Sequence, residues 1–520
     1  MKKMKKLLSL VLSVAMVVAM GITTFAADKT VNITVPTQLE HHTFVAYQIF
    51  KGDETNTKNQ LVNVEWGEGI NSTKFLEKLK NDSNFGTEFQ KCQTPQDVAD
   101  ALGKTATSNM KAITGYVNES KKGNGIQLKS GNNTLAEGYY LIQDTYSNDA
   151  NKDYAVNANL LKVTSDFEIT VKTDKPSVEK KVKENTKYSN NGGYGEGYND
   201  VADYNIGDSV PFKLIGTIPN MENYSSYKNY TFKDTLSNGL TLDEKSISVY
   251  LANKKDAEAG AALGSDQYTV KKTGQSFSVS IKDLKAVADG HNYVIVKYNA
   301  TLNSSAVIGL DGNTNEVYLE YSNNPENPDG KGETPKDKVI VFTYELDTTK
   351  VDGQNKNTKL KNAEFKLYNS NNQYAKVDGN GKITGWGSEA EATTLKSDSN
   401  GLFKVIGLDA GTYYLKETKA PEGYNSLKDS IQLTITATTA NDQEWNGTAS
   451  NALTELNLTV GGTISNGNIT TGIVSTTVEN NKGSILPSTG GIGTTIFYVI
   501  GGILMVGAGV ILVSRTRRSK

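Results

Sequence analysis

Cysteine is almost missing from this 520-residue chain: Cys92 stands alone and has no partner for an intramolecular disulfide. Whatever hardens the fold is not sulfur chemistry. Histidine is nearly as scarce, limited to His41, His42 and His291. These form no HExxH pair, and no GxSxG or Walker stretch accompanies them, so hydrolytic or nucleotide-driven turnover is not expected. The HH pair in LEHHTFVAYQ reads as a surface pair at the start of a strand rather than a metal site. A large charge of one sign is absent too. Lysine and arginine total 55 against 57 acidic residues, and the signs are interspersed, which argues against nucleic acid or an anionic lipid surface as partner.

Address signals frame the chain. It begins MKKMKKLLSLVLSVAMVVAMGITTFAA, a basic start, an apolar run and small residues at the end, so residues 1–27 are expected to be a signal peptide that stays out of the fold. Near the other end TTIFYVIGGILMVGAGVILV, from Thr494 to Val513, is apolar and long enough for a transmembrane helix. Arg515, Arg517, Arg518 and Lys520 behind it would hold the tail on the cytoplasmic side. The body is therefore expected outside the cell, tethered near its C-terminus. Exported multidomain proteins ordinarily use disulfides, so something must replace them here.

Between the signals, short runs alternate with period two: VNITV, FVAYQIF, SVPFKLIG, YVIVKYNATL, EVYLEY, AEFKLYN and IQLTIT, separated by Gly, Asn and Asp. This is the pattern of antiparallel strands in β-sandwiches. Helical periodicity is confined mostly to STKFLEKLKND and TPQDVADAL, read as short helices on the first domain. Punctuation at TDKPSVEKK and NNPENPDGKGETPKDK gives three domains in series, residues 28–172, 173–343 and 344–485, followed by 486–520. The expected fold is mainly β, tandem immunoglobulin-like sandwiches arranged as a rod.

The stretch Leu486, Pro487, Ser488, Thr489, Gly490, then an apolar span and a basic tail, resembles the cell-wall sorting signal of Gram-positive surface proteins. That resemblance implies that a sortase cuts between Thr489 and Gly490, holds Thr489 as an acyl-enzyme thioester and passes it to an amine. AYQIFKG, GNTNEVYLEYSNNP, YYLKETKAPEGYN and VENNKGSILPSTGG resemble the major shaft pilins of sortase-assembled Gram-positive pili. The resemblance covers nearly the whole chain. It implies Cna-type domains, covalent polymerisation, localisation on the cell wall and a role in surface adhesion. The implied partners are pilin-class and housekeeping sortases, identical subunits, minor pilins and peptidoglycan. No cofactor or metal is implied, and no enzymatic turnover beyond single-turnover crosslinking within the chain.

In such domains a first-strand lysine and a last-strand asparagine form an amide beside a buried Asp or Glu. The amine must be neutral to attack and the carboxyl protonated to relay protons, and burial favours both states. In the third domain, strand alternation puts Lys350 in line with Tyr344, Leu346 and Thr348, Glu417 with Tyr413 and Leu415, and Asn480 with Val474 and Val478. Lys350, Asn480 and Glu417 form that triad, with Asn481 the alternative on the opposite face. In the middle domain Lys180 shares a face with Val178 and Val182, Asp234 with Phe232, and Asn315 with Val317 and Leu319. Lys180, Asn315 and Asp234 form the second triad. Asn313 shares parity with Asn315, and Lys181 is expected in solvent. For the first domain EGYYLIQD resembles the glutamate motif, yet no first-strand lysine matches a terminal asparagine, so no crosslink is expected there.

Shaft pilins also offer one lysine at the end of the first domain to the next subunit. Here the family's Tyr-Pro-Lys core is replaced by Thr170, Val171 and Lys172. Alternation leaves Lys172 facing outward, and Lys175 is the alternative. A wall-anchored adhesin that is not polymerised would use the same modules and the same sorting signal, and is the rival reading.

Overall fold

The computed structural model describes residues 29–37, 41–54, 61–148, 150–169, 174–185, 197–439, 445, 447–483 and 492–517. Residues 1–27, expected to form the signal peptide, lie outside them. The first part of the chain builds two sheets and a helical cover. Thr30–Val35 is central in a three-stranded sheet, antiparallel to Gly131–Ala136 and parallel to Phe167–Glu168. A five-stranded sheet runs Leu61–Trp66, His42–Glu54, Gly138–Tyr146, Ala158–Val163, with Ile126–Leu128 also paired to His42–Glu54.

Strand parity explains how that second sheet packs on both sides. Phe44, Ala46, Tyr140 and Ile142 meet Val31, Ile33 and Val35 of the smaller sheet. Their neighbours Tyr47, Ile49, Tyr139 and Leu141 face helices Ser72–Asn81, Pro95–Lys104 and Met110–Glu119, which contribute Phe75, Leu79, Val98, Leu102, Ile113 and Val117. Thr94 and Asp97 close a capping box at the second helix, with Pro95 in its first turn. The third helix, MKAITGYVNE, was not anticipated. Its Gly115 and β-branched Ile113, Thr114 and Val117 have low intrinsic helix propensity, and packing overrides it. Cys92 is buried and unpaired, as its solitude requires.

The middle region faces a six-stranded sheet with a seven-stranded one. The first has Tyr198–Asn199, Val178–Lys183, Ser209–Thr217, Tyr293–Leu302, Leu240–Ala252 and Ala261–Ala262 in spatial order. The second has Val201–Asp203, Asp337–Phe342, Asn313–Ser322, Tyr230–Leu236, Ser276–Ile281 and Tyr268–Thr273, with Lys331–Glu333 beside Asn313–Ser322. In the last region a three-stranded sheet sets Tyr344–Asp352 between Leu402–Leu408 and Ile473–Asn480. It packs on an eight-stranded sheet that includes Glu364–Asn369, Gly411–Lys419 and Ile431–Thr439. A final helix, Ile492–Arg517, carries an exposed span from Ile496 to Arg517 whose most apolar 18-residue stretch has a mean hydropathy of 2.6.

One buried residue, Thr343, separates strand Asp337–Phe342 from strand Tyr344–Asp352, and its Oγ1 donates to the Leu408 carbonyl at 3.2 Å. The apolar core runs without a break from Val178 to Val478 across this junction. The first region keeps its own two cores. Gly309 and Gly472 meet backbone to backbone at the same junction. A Cβ on Gly472, whose φ is +70°, would lie 2.4 Å from the Gly309 nitrogen. Both the left-handed backbone and the contact demand glycine. Gly472→Ala is expected to lower the unfolding free energy by about 1–3 kcal/mol, seen as a reduced urea midpoint.

Candidate functional site

Two sealed clusters unite the residues selected by sequence. In the middle region Lys180 projects from one sheet, paired with Leu214 in the register Val178–Lys183 makes with Ser209–Thr217. Asp234 and Asn315 project from the facing sheet, where Leu236 is opposite Asn315 and Asp234 opposite Val317. All three side chains are fully buried. The Lys180 amine donates to Asp234 Oδ2 and, at 2.9 Å, to the Tyr298 hydroxyl. Tyr298 Oη donates to Asp234 Oδ2 at 2.9 Å and receives Asn315 Nδ2 at 2.8 Å. Phe212 and Tyr298 wall the amine, their ring centroids 5.7 and 5.4 Å from Nζ.

Tyr298 is the member that sequence reasoning missed. Its signal was present in YVIVKYNATL, where alternation puts it inward with Val294 and Val296 and a buried phenol needs a hydrogen-bond partner. Asn313, the alternative to Asn315, is occupied elsewhere. Its Oδ1 accepts the Val307 N–H at 2.9 Å, and its Nδ2 donates to the carbonyls of Val307 and Val341 at 3.0 and 3.1 Å.

In the last region Tyr344–Asp352 and Ile473–Asn480 are parallel neighbours, with Lys350 opposite Val478 and Asp352 opposite Asn480. Glu417 comes from Gly411–Lys419 in the other sheet. Its Oε1 is 3.3 Å from Lys350 Nζ, while its Oε2 accepts Asn480 Nδ2 at 3.0 Å and the Leu427 N–H at 2.8 Å. Lys350 Nζ lies 5.5 Å from the centroid of Phe365. Asn480 is buried and Asn481 exposed, as strand parity requires.

Electrostatics suits proton transfer at both places. Burial pulls Lys180 below the ordinary lysine range against the opposing charge of Asp234. It likewise pushes Asp234 above the usual carboxylate range, against the opposing charge of Lys180. Burial lowers Lys350 in the same way, opposed by Glu417. For Lys180 and Asp234 the shifts oppose in sign, so the pair holds one proton whether as ions or as neutral amine and acid. Among the described residues, Asp234 Oδ1, Asn315 Oδ1 and Asn480 Oδ1 find no hydrogen-bond partner, and Lys350 Nζ and Glu417 Oε1 have only their ion pair with each other. A buried polar atom left in this state costs about 1–3 kcal/mol. Such atoms gather at both clusters.

Several expectations need correction. Lys181 is not in solvent: it is buried and 2.5 Å from Asp200 Oδ1. Parity does turn it away from the sandwich core, but nonlocal chain covers that face, since Asp200 Oδ2 accepts the N–H of Trp445 at 2.7 Å. Asn315 is not on the last strand of its region. Lys331–Glu333 and Asp337–Phe342 follow it in the same sheet. His42 is no surface residue either, because its Nδ1 sits 2.9 Å from buried Asp144. In the first region Glu137 is buried, but the lysine it meets at 2.8 Å is exposed Lys29, whose ammonium Glu137 strengthens. Lys175 is exposed and bonded to Asp153 Oδ2 at 2.5 Å. Lys172 and Leu486, Pro487, Ser488, Thr489 and Gly490 lie outside the described residues.

Three family models match parts of the chain. A family model for the Gram-positive pilin backbone subunit 2, Cna-B-like domain, matches residues 206–325. One for a Prealbumin-like fold domain matches 345–449, and one for the LPXTG cell wall anchor motif matches 478–520. The chain thus matches one Gram-positive pilin backbone domain and a cell wall anchor motif. The anchor match and the apolar helix fit attachment at the cell wall. The Trypsin-resistant surface T6 protein of Streptococcus pyogenes serotype M6 is 27% identical over 373 residues, 60% of this chain and 65% of that protein. Fimbrial subunit type 2 of Actinomyces naeslundii is 28% identical over 348 residues, 61% and 58% of the respective chains. The matches span less than two thirds of either relative's length. The solved T6 backbone pilin of serotype M6 S. pyogenes shares the fold, with TM-score 0.53 and 18% identity, covering 89% of this chain and 100% of that one.

The corrected place of Lys181 has a measurable consequence. Lys181→Ala strands the Asp200 carboxylate in a buried site and is expected to cost about 3–5 kcal/mol, whereas Lys183→Ala should stay within about 0.5 kcal/mol. Denaturant titration of the two variants checks the contrast.

Proposed function

We propose that this chain is the shaft subunit of a covalently polymerised, wall-anchored pilus, stiffened by amides between Lys180 and Asn315 and between Lys350 and Asn480. The observation that carries this reading is the presence, in one chain, of two sealed Lys–carboxyl–Asn clusters and an LPXTG anchor. At each cluster the neutral amine attacks Cγ of the asparagine. The new C–N bond replaces the bond to Nδ2, and ammonia leaves. Asp234 or Glu417 takes the proton from Nζ and delivers it to Nδ2. Fixed proximity supplies much of the rate. The product amide offers one N–H and one C=O to the protonated carboxyl, which supplies partners for the orphaned oxygens.

Each amide closes a loop of about 130 residues, worth roughly 5 kcal/mol by the chain-entropy estimate for crosslinks. On this reading the domains divide at residues 172/173 and 343/344. A pilin-class sortase joins Thr489 of one subunit to Lys172 of the next, with Lys175 the alternative, and a housekeeping sortase passes the finished polymer to peptidoglycan. The ion pair of Lys175 with Asp153 counts against Lys175 as the nucleophile. Minor pilins and an adhesive ligand would complete the assembly.

Intact mass of the purified ectodomain should be low by two ammonia molecules. Asp234→Ala and Glu417→Ala should each restore one ammonia and lose several kcal/mol of stability; an unshifted wild-type mass removes both crosslinks from the proposal. Wall extracts should give a denaturant-resistant ladder on gels that collapses to monomer with Lys172→Ala. A single band in wild type, unaffected by that change, would favour the monomeric wall-anchored adhesin.

A further inference from the structure

The junction between the middle and last regions contains a second group of buried acids that the crosslinking chemistry does not use. Asp203 ends strand Val201–Asp203, and Asp409 lies in the turn after strand Leu402–Leu408. Both are buried, at 0% and 4% exposure. Tyr344 Oη donates to Asp203 Oδ2 at 2.9 Å, and Asn185 Nδ2 donates to Asp409 Oδ2 at 2.8 Å. Each acid then has one oxygen, Oδ1, buried with no donor among the described residues. Asp203 interacts through its side chain with both Asp409 and Glu184, and Asp409 in turn with Asp203. Two facing carboxylates cannot bond, since both only accept, whereas an acid and a carboxylate can.

We propose that Asp203 and Asp409 share one proton, and that this proton fastens the junction between the two sandwiches. Polar groups from several elements also meet the pair. Glu184 Oε2 accepts the Asp203 N–H at 3.1 Å. From the turn at 205–208, Asn205 Oδ1 accepts the Asp409 N–H at 3.1 Å and the Tyr413 hydroxyl at 3.0 Å, while Asp208 Oδ2 holds Asn205 Nδ2 at 2.9 Å. Tyr413 also reaches the Asp409 carbonyl at 3.0 Å, and Tyr204 donates to the Lys183 carbonyl. Beside the pair, the Ile206 N–H bonds the Gly407 carbonyl at 2.9 Å, so the two regions are stitched through backbone at the same point.

Burial pushes both acids above the usual carboxylate range, and the charges of Asp203 and Glu184 push Asp409 further. Unfolded carboxyls ionise near pH 4. Above that the folded pair still holds a proton that the open state has lost, so stability falls as pH rises, until the pair itself ionises. One proton gives up to about a tenfold change in the opening equilibrium per pH unit within that window.

The test is hydrogen exchange at the amides of Tyr204, Ile206 and Asp409 in the full-length chain, corrected for intrinsic rates, between about pH 5 and 9. In wild type their protection should decline with pH by up to that factor, while amides of the first region stay level. Asp409→Asn, whose amide donates permanently, should abolish the decline. Equal pH dependence in both proteins, or none in wild type, overturns the shared proton. If Asp409→Asn fails to fold, infrared spectroscopy of wild type decides. Among the protonated-carboxyl bands, which include those of the crosslink acids, one should fade in step with the junction amides, and the lack of any such band refutes the proposal.

Discussion

A lysine amine shut away from water is the constraint on which the two larger sandwiches depend. Taking an ammonium out of water costs several kcal/mol, so the site persists only where a carboxyl stands opposite and the walls exclude solvent. Lys180 meets both conditions through Asp234, Tyr298 and Phe212, and Lys350 meets them through Glu417 and Phe365. The sheets must close tightly for the chemistry to exist. Each lysine and its carboxyl come from opposite sheets, so closure of the core and assembly of the site are one event.

The joint between these two sandwiches follows from the same economy of chain. With one residue between strands, neither sheet pair can rotate freely, and the contact is filled by Thr343, the glycine pair and the Asp203–Asp409 seam. The first region meets the middle through polar contacts instead, Lys152 with Glu333 and Asp153 with Tyr321. A continuous apolar core on one side and hydrogen bonds on the other make the two joints differ in kind.

Much of this was legible in sequence because a strand with one buried face writes its orientation in alternate residues. Glu417 behind Tyr413 and Leu415, and Lys350 behind Tyr344, Leu346 and Thr348, are charged residues where that alternation demands apolar ones. The same rule failed at Lys181, because parity says which way a side chain points and nothing about what distant chain arrives to cover it. It also could not rank strands in space. Asn315 sits in a long, regular strand, while the short Lys331–Glu333 strand beyond it was hidden among turn residues. Tyr298 was visible as an inward tyrosine, but its partners come from three other strands, and only the fold brings them together.

The parallel pairing of Tyr344–Asp352 with Ile473–Asn480 sets how that segment answers a pull. Force entering at the start of the first strand and leaving at the end of the last acts along both strands in opposite senses. The rungs between them are then sheared together rather than peeled one at a time. Lys350 and Asn480 stand at the far end of that ladder, so the hydrogen bonds from Glu345 to Thr349 share any extension before the strands can slip. The direction in which two strands run thus acts as a mechanical fuse rating.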